Sequence, residues 1–280
     1  MVRTMLRDGN PMVVANAIYS LQSIESAGGP KVKLDQNHIQ KFLTALNEAT
    51  EWGQSIILDC ISNFKPTSSD MAERVIVRIK GFTRHRNPGV NLSAIRVIIK
   101  YLDYVEDTET VRSFCKGIRP CLITLLSSEP EVQFVSLKNI AILAEKQPYI
   151  VETELKHFFC NFSDPLYVKN QKLEIMVRLA NESNIDMILH ELKEYVTEVD
   201  VDFVRRCINA IGKLSIKIEK TATKCVFALR DIINNNHSNL IIQETIIVLK
   251  GKLVNERHFQ KIPRKIRKNF GGSYERNQVH

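Results

Sequence analysis

DQNHIQKFLTALNEATEWGQSIILDCISNFKP, residues 35–66, reads as two helices with a break between them. Asp35 is a helix cap: its carboxylate can accept from an amide of the first turn, which has no intrahelical partner. Ile39, Phe42, Leu43 and Leu46 follow at i, i+3, i+4 and i+7, one stripe on a 3.6-residue period. A second helix starts near Thr50 and carries Trp52, Ile56, Cys60 and Phe64, flanked by Ile57 and Ile61. Pro66 stops it, because the residue before a proline is pushed out of helical geometry. The pair forms a helical hairpin, an outer helix A followed by an inner helix B.

The same hairpin recurs in both directions. Asn10-Pro11, Asn87-Pro88, Glu129-Pro130 and Asp164-Pro165 each precede an apolar stretch of helical spacing. Proline suits the first helical position because its missing N–H would go unpaired there, and an Asn or Asp before it can cap. The apolar anchors Ile18, Ile57, Ile95, Leu137, Leu173, Ile208 and Ile246 are separated by 39, 38, 42, 36, 35 and 38 residues. That period is one hairpin of a HEAT or armadillo-type repeat. The expected fold is therefore all-α, a HEAT/armadillo-like α-solenoid of about six to seven helical hairpins. No window alternates apolar and polar residues over a strand's length. Two segments stand apart. Pro120 inside the stretch Phe114 to Ser127 predicts a kink or a break, and 26–30, with Gly28-Gly29-Pro30, predicts a flexible loop. Asp200 or Asp202 is expected to cap the helix carrying Val204, Ile208, Ile211 and Leu214.

A repeat of this kind buries its stripe only against its neighbours. The first B-like helix has almost no A helix before it, and the last has no polar cap. Both ends read as cut, as in a fragment of a longer solenoid or a shortened gene model.

The net charge is +8, but residues 251–280 hold eight Lys and Arg against Glu256 and Glu275. The first 250 residues are nearly neutral, so the expected division is a trunk over 1–250 and a basic, disordered tail over 251–280. Such a tail can also dock on anionic phospholipid or hold nucleic acid non-specifically. No apolar run approaches the ~18 residues of a membrane span, and the first residues lack a secretory signal's apolar core. The six cysteines form no Cys-x-x-Cys pair and fall mostly among apolar helix positions, as reduced core thiols do.

Nothing in the chain forms a constellation for catalysis. The seven histidines include no i, i+4 pair, and His157 reads as a helix-face or packing residue. Glu191 and Glu194 read as a solvated helix face, and Gly28-Gly29 lacks the Lys-Ser/Thr of a phosphate loop. Cys207 has no nucleophile signature around it, and the carboxylates of Asp200-Val201-Asp202 are explained by helix capping. Trp52 opens an apolar stripe, which assigns it to the core or a seam rather than to a binding hot spot. No catalytic, cofactor-binding or metal-binding residue is expected, no cofactor is implied, and the partner-binding residues are left unnamed.

The segments 10–17 (NPMVVANA), 43–48 (LTALNE), 51–54 (EWGQ), 128–133 (SEPEVQ), 164–169 (DPLYVK) and 191–205 (ELKEYVTEVDVDFVR) resemble, in order and spacing, the trunk of clathrin adaptor complex beta subunits, the beta-adaptins. The resemblance covers nearly all of 7–250. It implies an armadillo-like trunk within a four-subunit adaptor, scaffolding a second large chain, a medium chain and a small chain in vesicle-mediated protein transport. It further implies peripheral membrane association on the cytosolic face of a coated vesicle, the Golgi or the plasma membrane. Clathrin would be reached through the complex, and no nucleic acid is expected. The likeness begins well inside the family's trunk, ends near Lys250, and includes neither the clathrin-binding hinge nor the appendage. The competing assignment is a HEAT-repeat nuclear transport receptor or another solenoid scaffold.

Overall fold

The computed structural model describes residues 2–30, 34–235 and 238–250; the expected tail 251–280 lies outside them. Thirteen α-helices are joined by turns and short 3-10 segments, with no strand among the described residues. The chain divides into two compact units, 1–153 and 154–280.

In the first unit a lead helix α1 (Pro11–Ser26) precedes the hairpins α2 (Gln36–Glu48)/α3 (Glu51–Ser62), α4 (Ser69–Ile79)/α5 (Pro88–Tyr101) and α6 (Thr108–Leu125)/α7 (Pro130–Lys146). A one-turn helix, α8 (Pro148–Val151), follows. The second unit contains α9 (Leu166–Leu179) and the hairpins α10 (Ile185–Tyr195)/α11 (Val201–Lys217) and α12 (Ala222–Asn235)/α13 (Asn239–Val248). Each unit is a HEAT/armadillo-like stack. Inner helices pack on inner helices: α3 on α1 and α5, α5 on α7, and α11 on α9 and α13. The seven expected anchors fall one per inner helix, and all are buried except Ile246, which is half-buried. Removing such a side chain from water contributes about 1.5–3 kcal/mol. Where α1 and α3 cross, a Cβ on Gly53 would stand 3.4 Å from the Ala15 Cβ, so small residues at both positions let the helices approach.

The caps follow the sequence in part. Asp35 accepts from the His38 amide at 2.8 Å, and that bond chiefly holds its carboxyl below the usual carboxylate range. Asn10 and Asn87 cap α1 and α5, Thr50 caps α3, and Asp200, not Asp202, caps α11. Glu129 makes no cap bond. Asp164 does not cap either: Pro165 takes the cap position of α9, and the Asp164 carboxylate is held instead by the Lys172 ammonium at 2.6 Å and the Asn161 amide at 2.8 Å.

Two expectations about breaks are sharpened by the structure. Residues 26–30 are not simply a flexible loop, because Ser26 ends α1 and the glycines build its stop. Gly28 has φ +89°, its amide donates to Glu25 at 3.1 Å, and the Gly29 amide donates to Ile24 at 2.9 Å. This is the Schellman arrangement, which satisfies carbonyls the helix leaves open. Of the kink or break expected at Pro120, the break is absent, and helix α6 runs on through it. The lost hydrogen bond is outweighed by a continuous buried stripe of Phe114, Cys115, Ile118, Cys121, Leu122 and Leu125. The fourth outer helix, by contrast, is irregular: α8 passes into a 3-10 run, Glu152–Phe158, with non-helical geometry at Glu154.

A lysine from one inner helix repeatedly closes the C-terminus of the inner helix before it. Lys100 of α5 donates to the Ser62 carbonyl at 3.2 Å, and Lys146 of α7 to the Ile99 carbonyl at 3.2 Å. Lys217 of α11 donates to the carbonyls of Val177 and Ala180 at 3.0 Å each, and to that of Arg178. Each ammonium meets carbonyls that lack an intrahelical partner at the negative end of a helix dipole.

Substituting Lys217→Met, which keeps the stem and removes the charge, is expected to cost about 1 kcal/mol of stability, read from urea unfolding. Pro120→Ala should act in the opposite direction. It restores a donor for the Lys116 carbonyl at an exposed position, and a stability gain of about 1–3 kcal/mol is expected in the same measurement.

Candidate functional site: apolar side chains held in water

Burial accounts for most of the residues with chemical potential. Five of the six cysteines are buried and Cys160 is half-buried; all are free thiols. Burial pushes the thiols of Cys60 and Cys160 up to about 12 and that of Cys115 up to about 11. Cys207 is driven higher still, by burial first and then by the neighbouring Cys160. Such thiols are poor nucleophiles. His157 is exposed on a helix face, with its Nδ1 3.3 Å from Glu154. Glu194 is exposed and Glu191 half-exposed, while Asp200 is occupied as a cap to the Phe203 amide at 3.0 Å. Among the described residues no three His, Cys, Asp or Glu side chains converge as a metal cage would require.

What remains is surface. Trp52 is not in the core: it is 53% exposed and lies against Tyr19, also 53% exposed, with ring centroids 5.8 Å apart. The pair bridges α1 and α3, which agrees with a seam and not with burial. A larger patch forms in the second unit at the N-terminal ends of two inner helices. Phe162 is 85% exposed and Val199 91% exposed, with Leu166, Tyr167 and Val201 partly exposed around them.

This patch is built on a buried ionic layer. The Lys169 ammonium lies 2.6 Å from Glu198, and 5.5 Å and 5.2 Å from the ring centroids of Phe162 and Phe203. Lys172, 2% exposed, binds Asp164 at 2.6 Å and the Phe159 carbonyl at 3.3 Å. Asp164 also accepts from the Asn161 amide at 2.8 Å, and the Cys160 amide donates to the Tyr195 hydroxyl at 2.8 Å. Burial raises the Tyr195 hydroxyl well above the usual phenol value, so it remains a neutral acceptor. The turn 159–165 is thus fixed at four points while Phe162 stands in solvent. An aromatic side chain held rigid before contact loses little conformational freedom on binding, which is the property of an interface anchor.

Sequence reasoning assigned none of these residues to a site. Phe162 and Val199 sit outside the helical stripes, in connecting turns where periodicity carries no information. The signal available was the pair of lysines at helix positions that should be apolar, Lys169 and Lys172.

The family model described as the adaptin N-terminal region matches residues 1–261, running past the Lys250 limit of the likeness noted above. The chain is 45% identical over 262 residues to "AP-1 complex subunit beta" of Dictyostelium discoideum, covering 93% of this chain and 27% of that protein. It is 44% identical over 267 residues to "AP-1 complex subunit beta-1" of Mus musculus, covering 94% of this chain and 28% of that protein. It is also 35% identical over 254 residues to "AP-2 complex subunit beta" of Schizosaccharomyces pombe, covering 90% of this chain and 37% of that protein. The chain therefore spans little more than a quarter of the length of the first two relatives.

Lys169→Met strands the Glu198 carboxylate, 15% exposed, without its counter-charge. A loss of about 3 kcal/mol is expected in urea unfolding, and the double variant Lys169→Met/Glu198→Gln should recover more than half of it.

Proposed function

This chain belongs to the adaptin family, and from that premise we propose that it is a structural subunit of a clathrin-associated adaptor complex in vesicle-mediated protein transport. It scaffolds a second large chain, a medium chain and a small chain by burying their surfaces along its hairpins, with no covalent step. The observation that carries this reading is the match to the adaptin N-terminal region over residues 1–261. Its relatives named as AP-1 and AP-2 beta subunits supply the adaptor context and favour it over a nuclear transport receptor. The exposed Phe162 and Val199 surface supplies a physical means of holding a partner.

Membrane association in this reading is peripheral, on the cytosolic face of a coated membrane. No helix among the described residues is long and apolar enough to cross one. Clathrin is reached through the assembled complex. The division into a trunk over 1–250 and a basic tail over 251–280 is part of the same proposal.

Tagged chain isolated under gentle lysis should bring down another large adaptor chain together with medium and small chains. Phe162→Asp/Val199→Asp should reduce that recovery at least tenfold while leaving the helical circular dichroism unchanged, since both side chains stand in solvent. Recovery of none of the three chains with the unaltered protein would overturn the proposal.

A further inference from the structure

The chain turns from α4 into α5 through Arg78-Ile79-Lys80-Gly81-Phe82-Thr83-Arg84-His85-Arg86, nine residues with four permanent cations and no acid. Arg78, Lys80, Arg84 and Arg86 are all exposed. None of their side chains makes a hydrogen bond or ion pair with any described residue. A fifth unpaired cation joins them from α6. The Lys80 stem lies across Gly117, where a Cβ would come 3.4 Å from its Cε and 3.7 Å from its Nζ, and the exposed Lys116 is the next residue.

The acids at the other end of these helices are already engaged. Asp70 pairs with Arg74 at 2.9 Å, Glu109 with Arg112 at 2.6 Å, and Asp107 caps α6. The second unit handles its outer-helix charges differently. Lys193 meets Asp231 at 2.8 Å, Lys220 meets Glu182 at 2.9 Å, and Lys224 meets Asp186 at 2.7 Å, each pair linking successive outer elements. Cations there serve the stacking of repeats. The cations of the 78–86 turn do not. Complementing the α4 dipole explains Arg78, in its last turn, but not Arg84, Arg86 or the mid-helix Lys116.

We propose that the basic turn Arg78–Arg86, extended by Lys116, is a docking surface for an anionic lipid bilayer. The inference rests on the peripheral membrane reading above and assigns residues to it. Phosphatidylserine-type head groups present a diffuse sheet of negative charge, which suits several separate, unpaired cations better than a single compact anion would. Val77, 63% exposed beside Arg78, offers an aliphatic side chain to the interface. Phe82 is half-buried, so the turn lacks the exposed aromatic platform on which single-stranded nucleic acid stacks.

The test is flotation of the full chain with vesicles of phosphatidylcholine containing phosphatidylserine, against phosphatidylcholine alone. Each neutralised cation is expected to weaken binding roughly fivefold, so Lys80→Ala/Arg84→Ala/Arg86→Ala should lose about a hundredfold. Arg206→Ala/Lys213→Ala, two exposed cations on α11, serves as the control for a general loss of positive charge and should weaken binding less than fivefold. Lys116→Glu gives an independent reading should the triple variant fold poorly. The tail 251–280 is present in every variant, so differences report the turn. Unchanged binding of the triple variant and of Lys116→Glu would overturn the proposal, as would an equal loss in the control. RNA capture abolished by the triple variant with vesicle binding intact would assign the surface to nucleic acid instead. Because the chain is assayed without partner subunits, a negative result here leaves the co-purification test untouched, and the reverse also holds.

Discussion

An α-helix ends with carbonyls that its own backbone cannot satisfy, and in this protein the next repeat often supplies the donor. Lys100, Lys146 and Lys217 reach back from three inner helices to the C-terminal carbonyls of the inner helices before them. Apolar burial alone fixes that two helices touch, but it is non-directional and tolerates sliding. A charged donor that must meet a particular carbonyl removes that freedom. Tyr101 adds a neutral version of the same bond, donating to the Ile61 carbonyl at 3.1 Å. Register between repeats is therefore set by directional bonds, and cohesion by the buried anchors.

The second unit shows how such a stack presents something to the outside. Its turn 159–165 is held by two buried lysines, and the cost of burying them is offset by carboxylates at 2.6 Å and by surrounding carbonyls and rings. Replacing the layer with well-packed apolar residues would give comparable cohesion. What the ionic layer adds is direction: Phe162 is pointed into water and kept there. Rigidity inside the stack and exposure at its edge have a single origin.

Several features were legible in the chain before any coordinates. The hairpin of residues 35–66, the seven anchors, the caps at Asn10, Asp35 and Asn87, the helix start near Thr50, and the helix from Ile185 to Tyr195 all depend on local periodicity or on a side chain reaching two or three residues along. Where the structure departs from that reading, a contact beyond the reach of a capping bond decided the matter. Asp164 is claimed by the ammonium of Lys172, further along the helix whose first amides it was expected to cap, and the buried stripe on either side of Pro120 carries α6 through without a break.

By itself, then, the amino-acid order determined an all-helical repeat and its adaptin kinship, because hydrophobic period, capping chemistry and extended sequence likeness are written along the chain. Only the tertiary structure decided which side chains remain for a partner. Lys100, Lys146, Lys217, Lys169 and Lys172 look alike in sequence to the lysines of the 78–116 surface, and all are charged residues on or beside helices. The first five are consumed by carbonyls, carboxylates and rings brought near by folding, while Lys80 and Lys116 meet no counter-charge. Charge is a property of a residue; being unsatisfied is a property of its neighbours, and those exist only after the chain has folded.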